Sequence, residues 1–172
     1  MYQSILSPSL KLRTEHGGSL CQGKRKELRP ITTKKAMHLV FRSDNATKEL
    51  SFLKHEGLVR RLIKENAKRF YVQVYEVSIN SNHLHFLVRP KSREGFKNFL
   101  RAFTGILARK MLKGKPSLSH FWSSTIYSRI IYWGRAFKIA QNYVLQNTLE
   151  ARGLIAYQPR RTKQRKTVAL TT

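Results

Sequence analysis

Two histidines separated by one apolar residue, His83 and His85 in "INSNHLHFLVRP" (79–90), are the residues of this chain with the plainest chemical capacity. In a strand, successive side chains point to opposite faces, so both imidazoles project together while Leu84 and Phe86 turn into the core. That geometry suits a metal ion. Further along, in "QNYVLQNTLE", Tyr143 and Asn147 stand four residues apart and share one helix face, a turn from each other. If that face looks back at the histidine pair, one site holds two neutral imidazoles, an amide oxygen and a phenol. Such donors with open water positions fit a divalent cation, Mg²⁺ or Mn²⁺, working on a phosphodiester, and two histidines equally accept zinc. The ion would polarise the phosphate and stabilise charge building on its oxygens. Tyr143 would attack phosphorus in line, giving a 5′-phosphotyrosine and a free 3′-hydroxyl. The bond energy is then stored, so cutting and rejoining need no ATP. Tyr127 is the rival nucleophile.

The elements that must position these groups follow from apolar periodicity. "MHLVFRS" (37–43) is a short β-rich run ended by Asp44 and Asn45, and a helical pattern follows through "LVRRLIKENAKRF", with Leu58, Leu62 and Ile63 on one face. "YVQVYEVSI" (71–79) and "HLHFLVRP" (83–90) flank a polar turn and should pair as a hairpin. Residues 93–114 place Phe96, Phe99, Leu100, Phe103, Leu107 and Met111 at steps of three and four, an amphipathic core helix closed by Gly114 and Pro116. "FWSSTIYSRIIYW" (121–133) reads as a strand and residues 134–153 as a last helix. The order β-α-β-β-α-β-α predicts an α+β fold. Its first six elements match the ferredoxin-like split arrangement, an antiparallel sheet with helices on one face; the additional C-terminal helix carries the tyrosine near the open face. His38, on the first strand, reads as structural rather than as a ligand, and His16, His55 and His120 fall in loops or on polar faces.

Composition narrows the partner. The 172 residues include 34 Lys and Arg against 9 Asp and Glu, a formal net charge of +25 and a pI near 11.0. Such a chain repels itself unless a polyanion neutralises it, and nucleic acid is the usual one. No stretch approaches the roughly 20 apolar residues that span a bilayer, and the opening residues lack the charged-then-apolar order of a signal peptide. No membrane partner is expected, and the location expected is cytoplasmic, associated with the nucleoid. The single Cys21 rules out an intramolecular disulfide and a multi-cysteine zinc site. Residues 1–34 read as a basic flexible arm, 35–157 as the catalytic domain and 158–172 as a basic disordered tail. For DNA contact the candidates are Arg60, Arg61 and Lys64 on a basic helix face, and Arg89, Arg93, Arg129 and Arg135 flanking the site. Aromatics such as Trp122 among these cations would stack on exposed bases.

The combination of "NHLHFLV", "YSRII" below a Trp, and "NYVLQNTLEARGLI" resembles the single-tyrosine HUH (His-hydrophobic-His) transposases, more particularly their REP-associated tyrosine transposase branch. "RPITTKKAMHLVFRS" and "SREGFKNFLRAFTGILAR" share the likeness, which covers about residues 29–155 and leaves the arms outside. The resemblance implies a ferredoxin-like core and metal-dependent cleavage and joining of single-stranded DNA at hairpin-flanked sites. His83 and His85 then match the metal-binding pair, Tyr143 the nucleophile and Asn147 the polar residue that completes the metal site. Many relatives have Pro after the Asn, where this chain has Thr148, so here the helix is expected to run on toward Gly153. Gln often serves as the third ligand in relatives, which makes the adjacent Gln146 an alternative to Asn147. Relatives often act as dimers, so a homodimer is a further expectation, with the tyrosine serving either its own or its partner's histidines. The contrasting function is a domesticated, non-catalytic regulator that grips hairpin DNA or RNA with the same sheet and charge.

Overall fold

The computed structural model describes residues 14–25, 27–113 and 120–158. Five strands and three α-helices follow one another as β1 (Glu15–His16), β2 (Ala36–Arg42), α1 (Glu56–Arg69), β3 (Val72–Ile79), β4 (His83–Pro90), α2 (Arg93–Met111), β5 (Tyr127–Ile131) and α3 (Arg135–Ala151). The strands form one antiparallel sheet in the order β1-β5-β2-β4-β3. Setting β1 aside, the four longer strands have the 4-1-3-2 order of the split β-α-β-β-α-β fold, with β4 inserted between β2 and β3.

Alternation along the strands sorts their residues into two layers. Met37, Leu39 and Phe41 of β2 and Leu84, Phe86 and Val88 of β4 join α1 and α2 in the main core, with Val59, Leu62, Phe96, Phe99, Phe103 and Leu107. Both helices have matched ends. Ser92 caps α2 by accepting from the Gly95 N–H at 2.9 Å, and α1 carries Glu56 in its first turn and Lys68 and Arg69 in its last. At the centre, Phe103 touches Phe41 and Phe86 with ring centroids 5.3 and 5.2 Å away. Phe103→Ala is therefore expected to cost about 3–5 kcal/mol in urea unfolding, and a loss below about 1 kcal/mol would mean that this layer is not close-packed.

The opposite face belongs to α3. A smaller cluster of Ala36, Leu87 and Ile131 packs against Tyr75, Phe137 and Ala140, so the last helix lies across the face that carries His83 and His85. It ends as Thr148 permits, without a proline: the Leu154 N–H reaches back to the Leu149 carbonyl at 2.9 Å, and Gly153 takes φ 68° just past the end.

The structure departs from the sequence reading at three places. The predicted arm is ordered in part, because Glu15 and His16 pair with Arg129 and Ser128 as an edge strand. His16, read as a loop residue, is buried with Nε2 3.0 Å from the Glu27 carbonyl. The predicted strand 121–133 is confined to 127–131. Phe121 and Trp122 precede it as core-filling side chains on irregular backbone. Residues 1–13 and 159–172, which make up much of the predicted arm and tail, lie outside the described residues.

Candidate functional site

Register places the site. Val40 of β2 stands opposite His85 on one side and Tyr127 on the other, and His38 stands opposite Arg129. Cross-strand partners share a face, so His38, His83, His85, Tyr127 and Arg129 all point toward α3. The ring of Tyr143, coming down from that helix, lies edge-on to His85 with centroids 5.5 Å apart and to His38 at 5.7 Å. His83 and His85 are 5.0 Å apart and perpendicular. Tyr143 thus meets the histidine pair of its own chain. A cavity of about 330 Å³ is lined by Asn80, His83, His85, Tyr143, Asn147 and Glu150.

Hydrogen bonds orient the donors. The Nδ1–H of His83 donates to Asn82 Oδ1 at 2.8 Å, since a carboxamide oxygen can only accept. That leaves His83 Nε2 as the ring atom carrying a lone pair. His85 Nδ1 is 3.2 Å from His38 Nε2, and the two rings stack at 5.3 Å. The amide nitrogen of Asn147 donates to the Tyr143 carbonyl at 2.6 Å, which leaves its Oδ1 for the cavity. Gln146 turns instead to Glu150, its Nε2 2.9 Å from Oε1. Of the two candidate third ligands, Asn147 lines the cavity with the histidines.

Among the described residues no three His, Cys, Asp or Glu side chains form a group able to hold a metal. A cation here would rely on a mixed set: the imidazoles of His83 and His85 with the Asn147 amide oxygen. That set fits a divalent ion that keeps part of its water shell. The secured Nδ1 atoms of both histidines also match the outer-shell support that metal-bound imidazoles need.

His38 is the supporting residue that strand-by-strand reading does not expose. Burial, and secondarily the nearby Arg129 guanidinium, push its pKa down to about 4, so it stands neutral beside His85. An imidazole held neutral in the fold adds stability that is complete above the unfolded value near 6.5 and drains away as pH falls toward 4. In chelator-treated protein, cooling of the melting temperature between pH 7 and pH 4.5 should be smaller in His38→Gln than in wild type. The difference corresponds to roughly 2 kcal/mol, and equal losses would refute it. Tyr127, the rival nucleophile, also faces α3, but burial first and Glu15 second push its hydroxyl up to about 12.

The predicted DNA contacts divide. Arg129 lies beside Tyr143, ion-paired to Glu15 at 3.3 Å. Arg135 opens α3, exposed. Arg89 sits near the other end of β4, bonded to Gln73 at 3.0 Å. Arg93 ties α2 to the Ile31 carbonyl at 3.0 Å, and neither touches the histidine cavity. Arg60, Arg61 and Lys64 lie on α1, behind the sheet. Arg60 is paired with Glu56 at 2.7 Å and Arg61 with Glu65 at 4.0 Å, while Lys64 borders an apolar groove against β3. Trp122, partly buried, packs its indole on Phe41, Phe52 and Phe121 and donates to the Thr104 carbonyl at 3.2 Å. Among the described residues the exposed aromatics are Tyr71, Tyr132, Trp133 and Tyr157, the last of them at the histidine cavity. Glu150 was open to sequence reasoning, lying three and seven residues beyond Asn147 and Tyr143 on the same helical stripe.

No described helix is long and apolar enough to cross a membrane. A comparison with curated proteins finds no match. Among solved structures, a REP-associated tyrosine transposase bound to a REP hairpin is 12% identical over 76% of this chain and 76% of that one, with a TM-score of 0.55. That likeness shows the fold. A Deinococcus radiodurans protein described as a transposase is 15% identical over 72% of this chain and 98% of its own, but its TM-score of 0.42 carries no argument. A family model for IS200-like transposases matches residues 32–147, a span that holds the four strands β2 to β5, both histidines of the pair, Tyr143 and Asn147. The chain belongs to the IS200-like transposase family.

Proposed function

We propose that this transposase-family chain is a metal-dependent single-stranded DNA endonuclease and strand transferase, acting on hairpin-associated DNA through a 5′-phosphotyrosine. The observation that carries the reading is the meeting of Tyr143 with His83 and His85 in one cavity. The solved relative's hairpin supports the choice of DNA form, and the net charge of +25 supports a polyanionic partner.

Tyr143 Oη attacks phosphorus, the bond from phosphorus to the 3′ oxygen breaks, and the departing oxygen takes up a proton while the phenol gives one up. Rejoining runs the same exchange backward with an incoming 3′-hydroxyl. His83, His85 and Asn147 would hold Mg²⁺ or Mn²⁺, which when bound supplies charge stabilisation at the phosphate oxygens. His38 and Asn82 keep the two imidazoles oriented. Helix α3 fixes the phenol relative to the pair, so that the reacting atoms start close together.

The test is a denaturing gel of the protein incubated with end-labelled hairpin DNA and Mn²⁺ or Mg²⁺. A protein-linked label that disappears with chelator is expected. Tight hairpin binding without any adduct would instead identify a non-catalytic regulator on the same fold.

A further inference from the structure

Beside the histidine cavity lies a second and larger one, about 470 Å³, between the sheet and the N-terminal half of α3. Tyr143 is a wall of both. The second cavity is apolar along the helix, where Ala136, Ile139 and Ala140 fall on successive turns, and it faces Tyr127 on β5. Arg129 stands in its lining with its side chain 56% exposed. Ile139 is 60% exposed, so a large aliphatic side chain borders open space next to the phenol proposed to react. The volume is within the range of small-molecule sites, roughly 300–1,000 Å³. Planar, mostly apolar faces with an attached negative charge would satisfy both the lining and the guanidinium, and a nucleotide has that chemistry. The strong positive charge of the chain favours such an occupant over an apolar protein segment.

We propose that this cavity receives the nucleobase adjoining the phosphate attacked by Tyr143, with Arg129 meeting the backbone beside it. The inference rests on the function proposed above and gives that site a register device. Seating one base between α3 and Tyr127 presents one phosphate, and not its neighbours, to the phenol.

The experiment is an abasic scan. In a Tyr143→Phe background, hairpin DNA lacking one base at a time along its single-stranded flank is titrated by fluorescence anisotropy. One position is expected at which loss of the base weakens binding about tenfold, the scale of one lost stacking contact. Adding Ala136→Trp, at an exposed position, fills the cavity. Intact DNA should then bind about tenfold more weakly, with no further penalty at the abasic position. Ile139→Ser opens the wall instead and should lower the penalty to about threefold; it decides the matter if Ala136→Trp melts early. A flat scan, or a full penalty surviving the variant that folds, would overturn the proposal. Because the scan measures binding by protein without its nucleophile, it stays readable even if wild type forms no adduct.

Discussion

Tyr143→Phe is expected to remove the covalent adduct completely and to slow cleavage by at least about 10³-fold, while hairpin binding changes less than twofold. The variant loses one oxygen and keeps the ring that lies edge-on to His38 and His85, so the fold has no reason to respond. The rival named from the sequence is no ready substitute. Tyr127 faces the same helix, but burial and Glu15 hold its hydroxyl at about 12, and a nucleophile that must shed its proton is poorly served there. Quantitation of adduct and of free cleaved strand, from one gel, checks both numbers. An adduct persisting in Tyr143→Phe would move the chemistry to another residue.

The next largest effect is expected from His83→Ala, at least about 100-fold in Mn²⁺ affinity by calorimetry, with a similar or greater loss of cleavage. His83 is only partly buried, and its Nδ1 bonds to the neighbouring Asn82, so its removal should shift the melting temperature little. His85 would be the less clean choice. It is buried and bonded to His38, and truncating it opens a void and strands a partner as well as deleting a donor. His83→Ala with unchanged Mn²⁺ binding would remove the metal from this cavity altogether.

What could be read from the sequence was what depends on local period. A two-residue repeat put His83 and His85 on one face, and a four-residue step put Tyr143 over Asn147; both pairs share one cavity. The β-α-β-β-α-β-α order also survived, because each long element buries a stripe that its own residues declare. His38 was read as structural, but its partner His85 could not be named, because that depends on which strand lies next to β4, a pairing of residues 47 apart. The basic face of α1 was legible as a face, but periodicity cannot say on which side of the sheet it comes to rest. Trp122 shows another limit: segment 121–126 has no period at all, so nothing local announces that its ring packs on Phe41, Phe52 and Phe121. A strand of two residues, β1, is shorter than any repeat that could announce it.

That short strand has a further consequence. Gly17, at φ 86°, turns the chain away immediately after His16, where any Cβ would lie 2.1 Å from the Ile126 carbonyl oxygen. One margin of the sheet is therefore stoppered by two paired residues, whereas along the other, β3 has no neighbouring strand among the described residues. The β3 margin is therefore the longer edge on which a guest strand, or a twin related by a two-fold axis, could pair. At the β1 margin a strand of two residues leaves little main chain for such pairing.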